Sequence, residues 1–161
     1  MFIFGGQQKN MKNIYTKEVA AELVNRIQQI KPNDMPLWGK MSADQMFAHC
    51  NVSYDIAYTP EQFNQPGAFK KFLLKTFLKK IIVGEKEYPK NSRTAPEFIV
   101  VGKKDFEKEK AKLIAHVEKT QQLGASYFAG KDNLSFGVMS AEEWNNLFYK
   151  HLDHHLRQFG K

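Results

Sequence analysis

The most informative stretch of this chain runs from Ser140 to Gly160 and has the sequence SAEEWNNLFYKHLDHHLRQFG. Ser140 with Glu143 three residues later matches the capping box, in which side chains satisfy the free N–H groups of a helix start. Gly160 is a natural stop, because many helices end on a glycine in the left-handed conformation. Between these signals, apolar residues recur every three or four positions, at Trp144, Leu147, Phe148, Leu152 and Phe159. The stretch therefore predicts a terminal amphipathic helix whose apolar face packs into a core.

Two histidines, His151 and His155, fall within that apolar face. They are four residues apart, so their rings lie one above the other on one side of the helix. Imidazole is a common metal ligand, and two imidazoles at this spacing can share one ion. The alternative is a pair of core histidines that hydrogen-bond to backbone or side-chain groups. Gln158 lies on the same side, where it could hold a bound water or support a ligand from the second coordination shell.

Two other polar residues of this helix are predicted to play no part in such a site, and His154 is ambiguous. Asp153 and Arg157 point the other way and are predicted to face solvent, while His154 lies at the edge of the apolar face. Leu152 follows the first histidine, where zinc proteases carry a glutamate as general base. A protease site is therefore disfavoured.

A third metal ligand would have to come from another helix, and His49 is the best candidate because it flanks an apolar helix face. His116 lies in a lysine-rich segment and is interpreted as a surface histidine. Cys50 points about 100° away from His49 around the helix. We interpret this cysteine as a structural thiol rather than a nucleophile or ligand.

Four further helical segments are predicted before the terminal one. They begin after Thr16, at Ser42 with its capping partner Gln45, after Gly67, and at Asp105, the last ending near Leu123. The segment 84–104 contains two prolines and is predicted to be a long irregular connection whose Phe-Ile-Val-Val (98–101) packs against the body. Several amphipathic helices without alternating strand patterns indicate an all-α helix bundle.

The domain organisation follows from these segments. Residues 16–161 are predicted to form a single helical domain, and residues 1–15 a flexible lead-in. Met11 is an alternative start of the natural protein, which its N-terminal peptide would reveal by mass spectrometry.

The helical stretch after Gly67 is both apolar and basic. Phe69, Leu73, Phe77 and Ile81 share one face, whereas Lys71, Lys75 and Lys79 share the opposite one. We interpret it as a bundle or lid helix with a solvated lysine face. The alternative is an amphipathic helix that lies on a membrane surface.

Composition narrows the class of protein. The chain has 161 residues, 42% of them hydrophobic, which suits one globular domain with a real core. No apolar run approaches the roughly 20 residues of a membrane-spanning helix. One cysteine allows no internal disulfide, so a cytoplasmic location is predicted. The net charge of +7 is compatible with nucleic-acid binding. The absence of RNA-binding and zinc-finger motifs disfavours such binding.

His49 together with His151-x-x-x-His155-x-x-Gln158 resembles the metal triad of the DinB-like superfamily of four-helix-bundle proteins. An uncharacterised branch of that superfamily is the closer match, and the motifs that carry it are WGKMSADQMFAH (38–49), TAP (94–96), FGVMSAEEW (136–144) and KHLDHHLRQFG (150–160). The resemblance implies an antiparallel four-helix bundle with a zinc or nickel ion held by the three histidines. This chain has Asn133-Leu134 where relatives often show His-Pro, so no role of that loop histidine is carried over.

Three classes of function are compatible with these features. Some members of the superfamily are thiol-dependent transferases or isomerases, so the resemblance implies a metal-dependent enzyme that transfers a small-molecule thiol to an electrophile. Lys71, Lys75 and Lys79 could attract an acidic thiol. The second class is a hydrolase using metal-bound hydroxide, with Glu97 or Asp55 as base if folding brings them close. The third is a non-catalytic helical binding module, and a homodimer is compatible with a bundle of this size.

Overall fold

A computed structural model describes residues 11–161, which are mostly helical. The helices are α1 (Lys17–Gln28), α2 (Ala43–Tyr58), α3 (Ala68–Leu73), a π-helical turn (Leu74–Leu78), α4 (Lys79–Val83), α5 (Phe106–Phe128) and α6 (Ala141–Gln158). Single 3-10 turns occur at Pro60–Gln62 and Pro96–Phe98. A small antiparallel hairpin, β1 (Asp132–Asn133) with β2 (Gly137–Val138), precedes α6 and was not predicted. The all-α class is confirmed.

The predicted helix starts are confirmed by their caps. Thr16 Oγ1 accepts the Val19 N–H at 3.3 Å at the start of α1. At the start of α6, the Glu143 N–H donates to Ser140 Oγ at 3.1 Å, and the Ser140 N–H donates to Glu143 Oε2 at 3.0 Å. These local bonds make the N-termini of the helices readable from short stretches of sequence.

The end of α5 lies later than predicted. Gly124 breaks the helical geometry with φ +70° and ψ 175°, but the chain resumes helical turns to Phe128. Phe128 is fully buried, and its ring contacts those of Trp144 and Phe148 with centroids 5.9 and 5.4 Å apart. Burial of this aromatic ring explains why the helix continues past its glycine kink.

We expect Gly124→Ala to destabilise the protein by about 1–3 kcal/mol, because a non-glycine residue is strained in this backbone conformation. An added Cβ would meet no atom within 4 Å, so the cost comes from the backbone alone. Gly67→Ala is the matched control: Gly67 has φ −57° and equally open surroundings. Urea unfolding would measure both, and equal effects of the two substitutions would contradict the prediction.

The core lies where α1, α2, α5 and α6 pack against one another. Its largest fully buried side chains include Phe47 and Tyr54 of α2 and Trp144 and Phe148 of α6. The Tyr54 ring stacks on Phe148 with centroids 4.6 Å apart. This contact sets α2 beside α6 and so places His49 opposite the histidines of α6.

Asp153 was predicted to face solvent, and this is wrong. Its side chain is only 10% exposed and lies 2.8 Å from Arg26 of α1, in a buried ion pair. Arg157 is more exposed and pairs with Glu87 at 2.6 Å, as suits a surface residue. Because α1 covers this side of α6, a residue opposite the main apolar face is buried as well.

The helical segment 68–83 is rotated relative to the prediction. Phe69 and Phe77 are exposed, whereas Leu74, Leu78 and Ile82 pack against the core. The predicted solvated lysines are instead partly buried at two positions: Lys71 pairs with Asp132 and Lys79 with Glu143. All four residues of the predicted inner face are exposed, before, within and after the π-helical turn, so the rotation comes from the packing of the whole segment rather than from that turn.

Helix α6 holds the end of this segment. The Asn146 side chain donates to the carbonyl oxygen of Val83 at 2.9 Å. The Lys150 ammonium donates to the carbonyl oxygens of Ile81 and Lys86 at 2.8 and 3.1 Å. Burial lowers the pKa of this lysine to about 8.

The connection 84–104 is irregular, as predicted, apart from its 3-10 turn. Its apolar stretch packs less than expected: Phe98 and Val100 are half-buried, but Ile99 and Val101 are exposed. Among the helices of residues 11–161, none has the length and hydropathy needed to cross a bilayer.

Residues 1–10, which make up most of the predicted lead-in, lie outside the described residues. Ile14, within the predicted lead-in, is fully buried, and its N–H donates to Asn145 Oδ1 of α6 at 2.7 Å. The packed structure therefore includes residues that precede Thr16.

Candidate metal centre

Three histidines meet between α2 and α6, and they are the three that the sequence singled out. Nε2 of His49 lies 2.9 Å from Nε2 of His151. The ring centroid of His155 lies 4.6 Å from that of His49 and 4.9 Å from that of His151. One nitrogen from each ring can be chosen so that all three lie within 4.8 Å of one another.

The orientation of His49 is set by the irregular connection. Its Nδ1 lies 2.8 Å from the carbonyl oxygen of Phe98, in the 3-10 turn. Because a carbonyl oxygen only accepts, Nδ1 carries the proton and Nε2 presents its lone pair toward the other histidines. Such a partner on the far nitrogen is the usual means of fixing the tautomer of a ligating imidazole.

His155 is oriented in the same way by Gln158. Its Nδ1 lies 2.8 Å from Gln158 Oε1, and Gln158 Nε2 donates to the carbonyl oxygen of Trp38 at 2.6 Å. The Trp38 carbonyl fixes which end of the amide faces the histidine, so His155 donates from Nδ1 and Nε2 is unprotonated. Gln158 thus contacts His155 on the side of the helix that its spacing suggested.

The close approach of Gln158 depends on a glycine. Gly39 has φ +81°, and a Cβ at this position would lie 2.6 Å from Gln158 Nε2. The N–H of Leu37 also donates to the Gln158 carbonyl oxygen at 2.7 Å. The segment 37–39 is therefore fastened to the end of α6.

Burial keeps the cluster uncharged. It lowers the pKa of His49, and it lowers that of His151 well below the usual range, with repulsion from His155 and His49 as further causes. Burial, followed by repulsion from His49, lowers the pKa of His155 to about 3. Neutral imidazole is the form that binds metal, because the lone pair is free.

The three nitrogens suit a divalent ion in chemistry, and one pair of them also suits it in spacing. Zinc–nitrogen bonds of about 2.0–2.1 Å place two ligands of a tetrahedral site about 3.3 Å apart. The 2.9 Å between the His49 and His151 nitrogens is within about 0.4 Å of that value. Imidazole ligands suit zinc, nickel, copper and iron, so the set does not select a single metal.

The cluster lies in the wall of a cavity of about 680 Å³. Its lining is mainly apolar. It comes from α2, α6, the segment 68–83 and the connections on either side of that segment. His154 is also in the wall, where its ring contacts Trp38 and Tyr88 edge to face at 5.8 and 5.7 Å. A fourth ligand from a bound molecule could therefore reach the histidines from the cavity.

The structure keeps the other candidate residues apart from the cluster. Cys50 is fully buried beside Met46, and burial raises the pKa of its thiol, which suits a structural role. His116 is bonded to Asp55 at 3.1 Å and stacks on Tyr54, so it is less exposed than predicted. The Asp55 carboxylate therefore binds His116 rather than the cluster of three histidines.

Other cavity residues come from outside the α-helices, and one of them, Tyr88, carried no recognisable signal in the sequence. Glu97 lines the cavity, but its carboxylate is bound to Lys70 at 3.0 Å. Trp38 and Tyr88 also line it, as do Asn133 and Leu134, where relatives were expected to carry His-Pro. Only the glycine after Trp38 could have indicated a close approach of the backbone at this point.

We expect Gln158→Met to weaken divalent-metal binding about 10–100-fold, because loss of a second-shell partner leaves His155 without its fixed orientation. Competition against a chromophoric chelator would measure this affinity. Gln122→Met, at an exposed position of α5, which contributes no residue to the cavity, is the control. Unchanged affinity in Gln158→Met would show that Gln158 does not orient a ligand.

Comparison with known families gives one match. A family model described as "Protein of unknown function (DUF1569)" matches residues 10–161. No curated protein and no solved structure matches the chain.

Proposed function

Because the chain belongs to the DUF1569 family, whose description assigns no activity, we propose its function from the site: a divalent-metal-dependent enzyme that transfers a small-molecule thiol to an electrophile. The observation that carries the proposal is the group of three neutral imidazoles in the wall of a large cavity. Three protein ligands with a position left open to substrate are typical of catalytic rather than structural zinc.

A bound ion would supply one thing, a lowered pKa of a thiol or water at the open position. The chain's own residues do the rest. The Phe98 carbonyl and the Gln158 amide hold two of the rings in place. The mainly apolar walls contributed by α2, α6 and the 68–83 segment limit the access of water.

The cosubstrate would be a low-molecular-weight thiol with acidic groups. The chain's single cysteine is buried in the core, so the sulfur has to come from outside the protein. Lys40, Lys70 and Arg93 line the cavity and could bind carboxylates of such a thiol. They replace Lys71, Lys75 and Lys79 in the role considered from the sequence. A thiol cosubstrate would agree with a reducing compartment such as the cytoplasm.

Two finer assignments belong to the same proposal. Zinc or nickel is the proposed ion, supported by the all-imidazole donor set. A bundle of the DinB-like type is the proposed fold, supported by the mutual packing of α1, α2, α5 and α6.

The second candidate is a metal-dependent hydrolase. Glu97 favours it, because this carboxylate lines the same cavity and adjoins the residue that orients His49. A backbone hydrogen bond at Glu97 itself, followed by the hydrogen bond to Lys70, lowers the pKa of Glu97, so this carboxylate is ionised near neutral pH.

Cobalt-substituted protein tests the two candidates together. Thiolate bound to cobalt gives a charge-transfer band in the near ultraviolet, so glutathione-like and other small thiols can be screened by absorption. We expect a band with an acidic thiol, no band in His155→Ala, and thioether formation when an electrophile such as a haloarene is added.

The other outcomes distinguish the alternatives. Hydrolysis of ester or amide substrates that disappears in Glu97→Gln, without any thiolate band, would favour the hydrolase. A protein that binds no metal, and keeps its stability after treatment with a chelator, would overturn both and favour a non-catalytic binding module.

A further inference from the structure

The segment 68–83 presents an apolar face to solvent. The side chains of Phe69, Phe72 and Phe77 are 77, 62 and 68% exposed. Leu73 and Thr76, which lie between them in the sequence, are exposed as well, so the exposed side of this segment is continuous. We call these five residues the phenylalanine face.

This face has no role in packing the described residues. The inner side of the same segment already supplies Leu74, Leu78 and Ile82 to the core and Val83 to the buried set. Large aromatic residues that are exposed together on one helix indicate an interaction surface, because single proteins seldom leave such patches open.

Lysines border the phenylalanine face, and the segment contains no acidic residue. Lys70 and Lys75 lie between its residues in the sequence, and Lys79 and Lys80 follow them. Several of these ammonium groups have neighbouring carboxylates, but Lys75 and Lys80 remain exposed. The chain as a whole carries +7.

We propose that the phenylalanine face docks on an anionic lipid surface. Phenylalanine rings would enter the boundary between headgroups and acyl chains, while the bordering lysines bind lipid phosphates. Long lysine side chains suit this position, because the stem contacts apolar groups and the ammonium stays in the polar layer.

Charge favours lipid over a second copy of the chain as the occupant. A two-fold contact through this face would set the same surface against itself. The bordering lysines of one helix would then lie near those of the other, and like charges in an interface are unfavourable. An anionic bilayer offers the complementary charge.

The docked segment would also border the cavity. Lys70, Leu74, Leu78 and Ile81 line it from this helix, and Lys70 and Ile81 are exposed as well. The cavity thus reaches the surface beside the phenylalanine face. Docking itself does not depend on the metal or on the proposed reaction.

Vesicle co-sedimentation of the full chain tests the proposal. The vesicles are phosphatidylcholine alone and phosphatidylcholine mixed with phosphatidylglycerol. We expect binding to the mixed vesicles that weakens with added salt. Phe69→Ser/Phe77→Ser should lower the partition coefficient at least about tenfold, because two exposed rings no longer transfer into lipid. Lys75→Gln/Lys80→Gln should lower it several-fold and reduce the salt dependence.

Met35→Ser is the matched control, since Met35 is 80% exposed and lies outside the segment 68–83. It should bind as the wild type does, and circular dichroism should show unchanged helix content in every variant. Absence of binding to the mixed vesicles, or equal binding by Phe69→Ser/Phe77→Ser, would overturn the proposal. Sedimentation equilibrium without lipid then identifies a second copy as the occupant, if a wild-type dimer becomes monomeric in that variant.

Discussion

His155→Ala should lower the affinity for zinc or nickel at least about 100-fold. The 10–100-fold loss expected for a missing second-shell partner sets the lower limit, because this substitution removes a ligand itself. The wild type should take up about one ion per chain, as three ligands converge on one point. Metal content by plasma mass spectrometry, on untagged protein purified without nickel resin, would measure the difference.

His116→Ala is the control for this experiment. His116 is also a partly buried histidine, but it is bonded to Asp55 and lies away from the cluster. The His116→Ala variant should keep its ion. Saturating metal should raise the melting temperature of this variant as it does that of the wild type. If the wild type takes up no ion when zinc or nickel is supplied, the three histidines are core residues and the proposed enzyme classes fail.

Arg26→Met should destabilise the protein by about 3 kcal/mol, because it leaves the buried Asp153 carboxylate without its main cationic partner. The two side chains are 15 and 10% exposed and lie 2.8 Å apart. The guanidinium also donates to the carbonyl oxygen of Lys161 at 3.0 Å, so the substitution loosens the C-terminus too. Urea unfolding, followed by circular dichroism, would measure the loss.

Arg157→Met provides the comparison, since Arg157 is more exposed and lies 3.8 Å from the same carboxylate. An exposed ion pair contributes about 0–1 kcal/mol, so this variant should be close to wild type. The double variant Arg26→Met/Asp153→Leu should recover part of the loss, because no buried charge remains. Equal destabilisation by Arg26→Met and Arg157→Met would mean that burial of the pair does not matter.

Sequence reasoning was most successful where a structure depends on neighbouring residues. The caps at Thr16 and Ser140 both involve bonds within one turn. It failed at Asp153, because a helical wheel shows one apolar face and cannot show that α1 covers another. It failed again at Phe69 and Phe77, because the contacts of α6 that fix the rotation of the segment 68–83 join residues far apart in the chain.

The candidate site divides in the same way. The spacing of His151 and His155 placed both rings on one side of α6, and His49 was the best third candidate because it flanks the apolar face of α2. The partners of these rings, the Phe98 carbonyl and the Trp38 carbonyl behind Gln158, come from irregular segments. Backbone carbonyls are the same in every residue, so no residue type indicates such a contact beforehand.

Local chemistry alone determined the all-α class, the helix starts and the pairing of two histidines on the last helix, because hydrogen bonds within a turn and the 3.6-residue period require no distant partner. Packing between distant elements determined the rest. The stacking of Tyr54 on Phe148 brings His49 to the other two histidines. Asn146 and Lys150 hydrogen-bond to the end of the segment 68–83. These contacts fix the rotation of the segment, so its phenylalanines face outward. Such contacts join residues far apart in the chain, and only the folded arrangement decides which of them form.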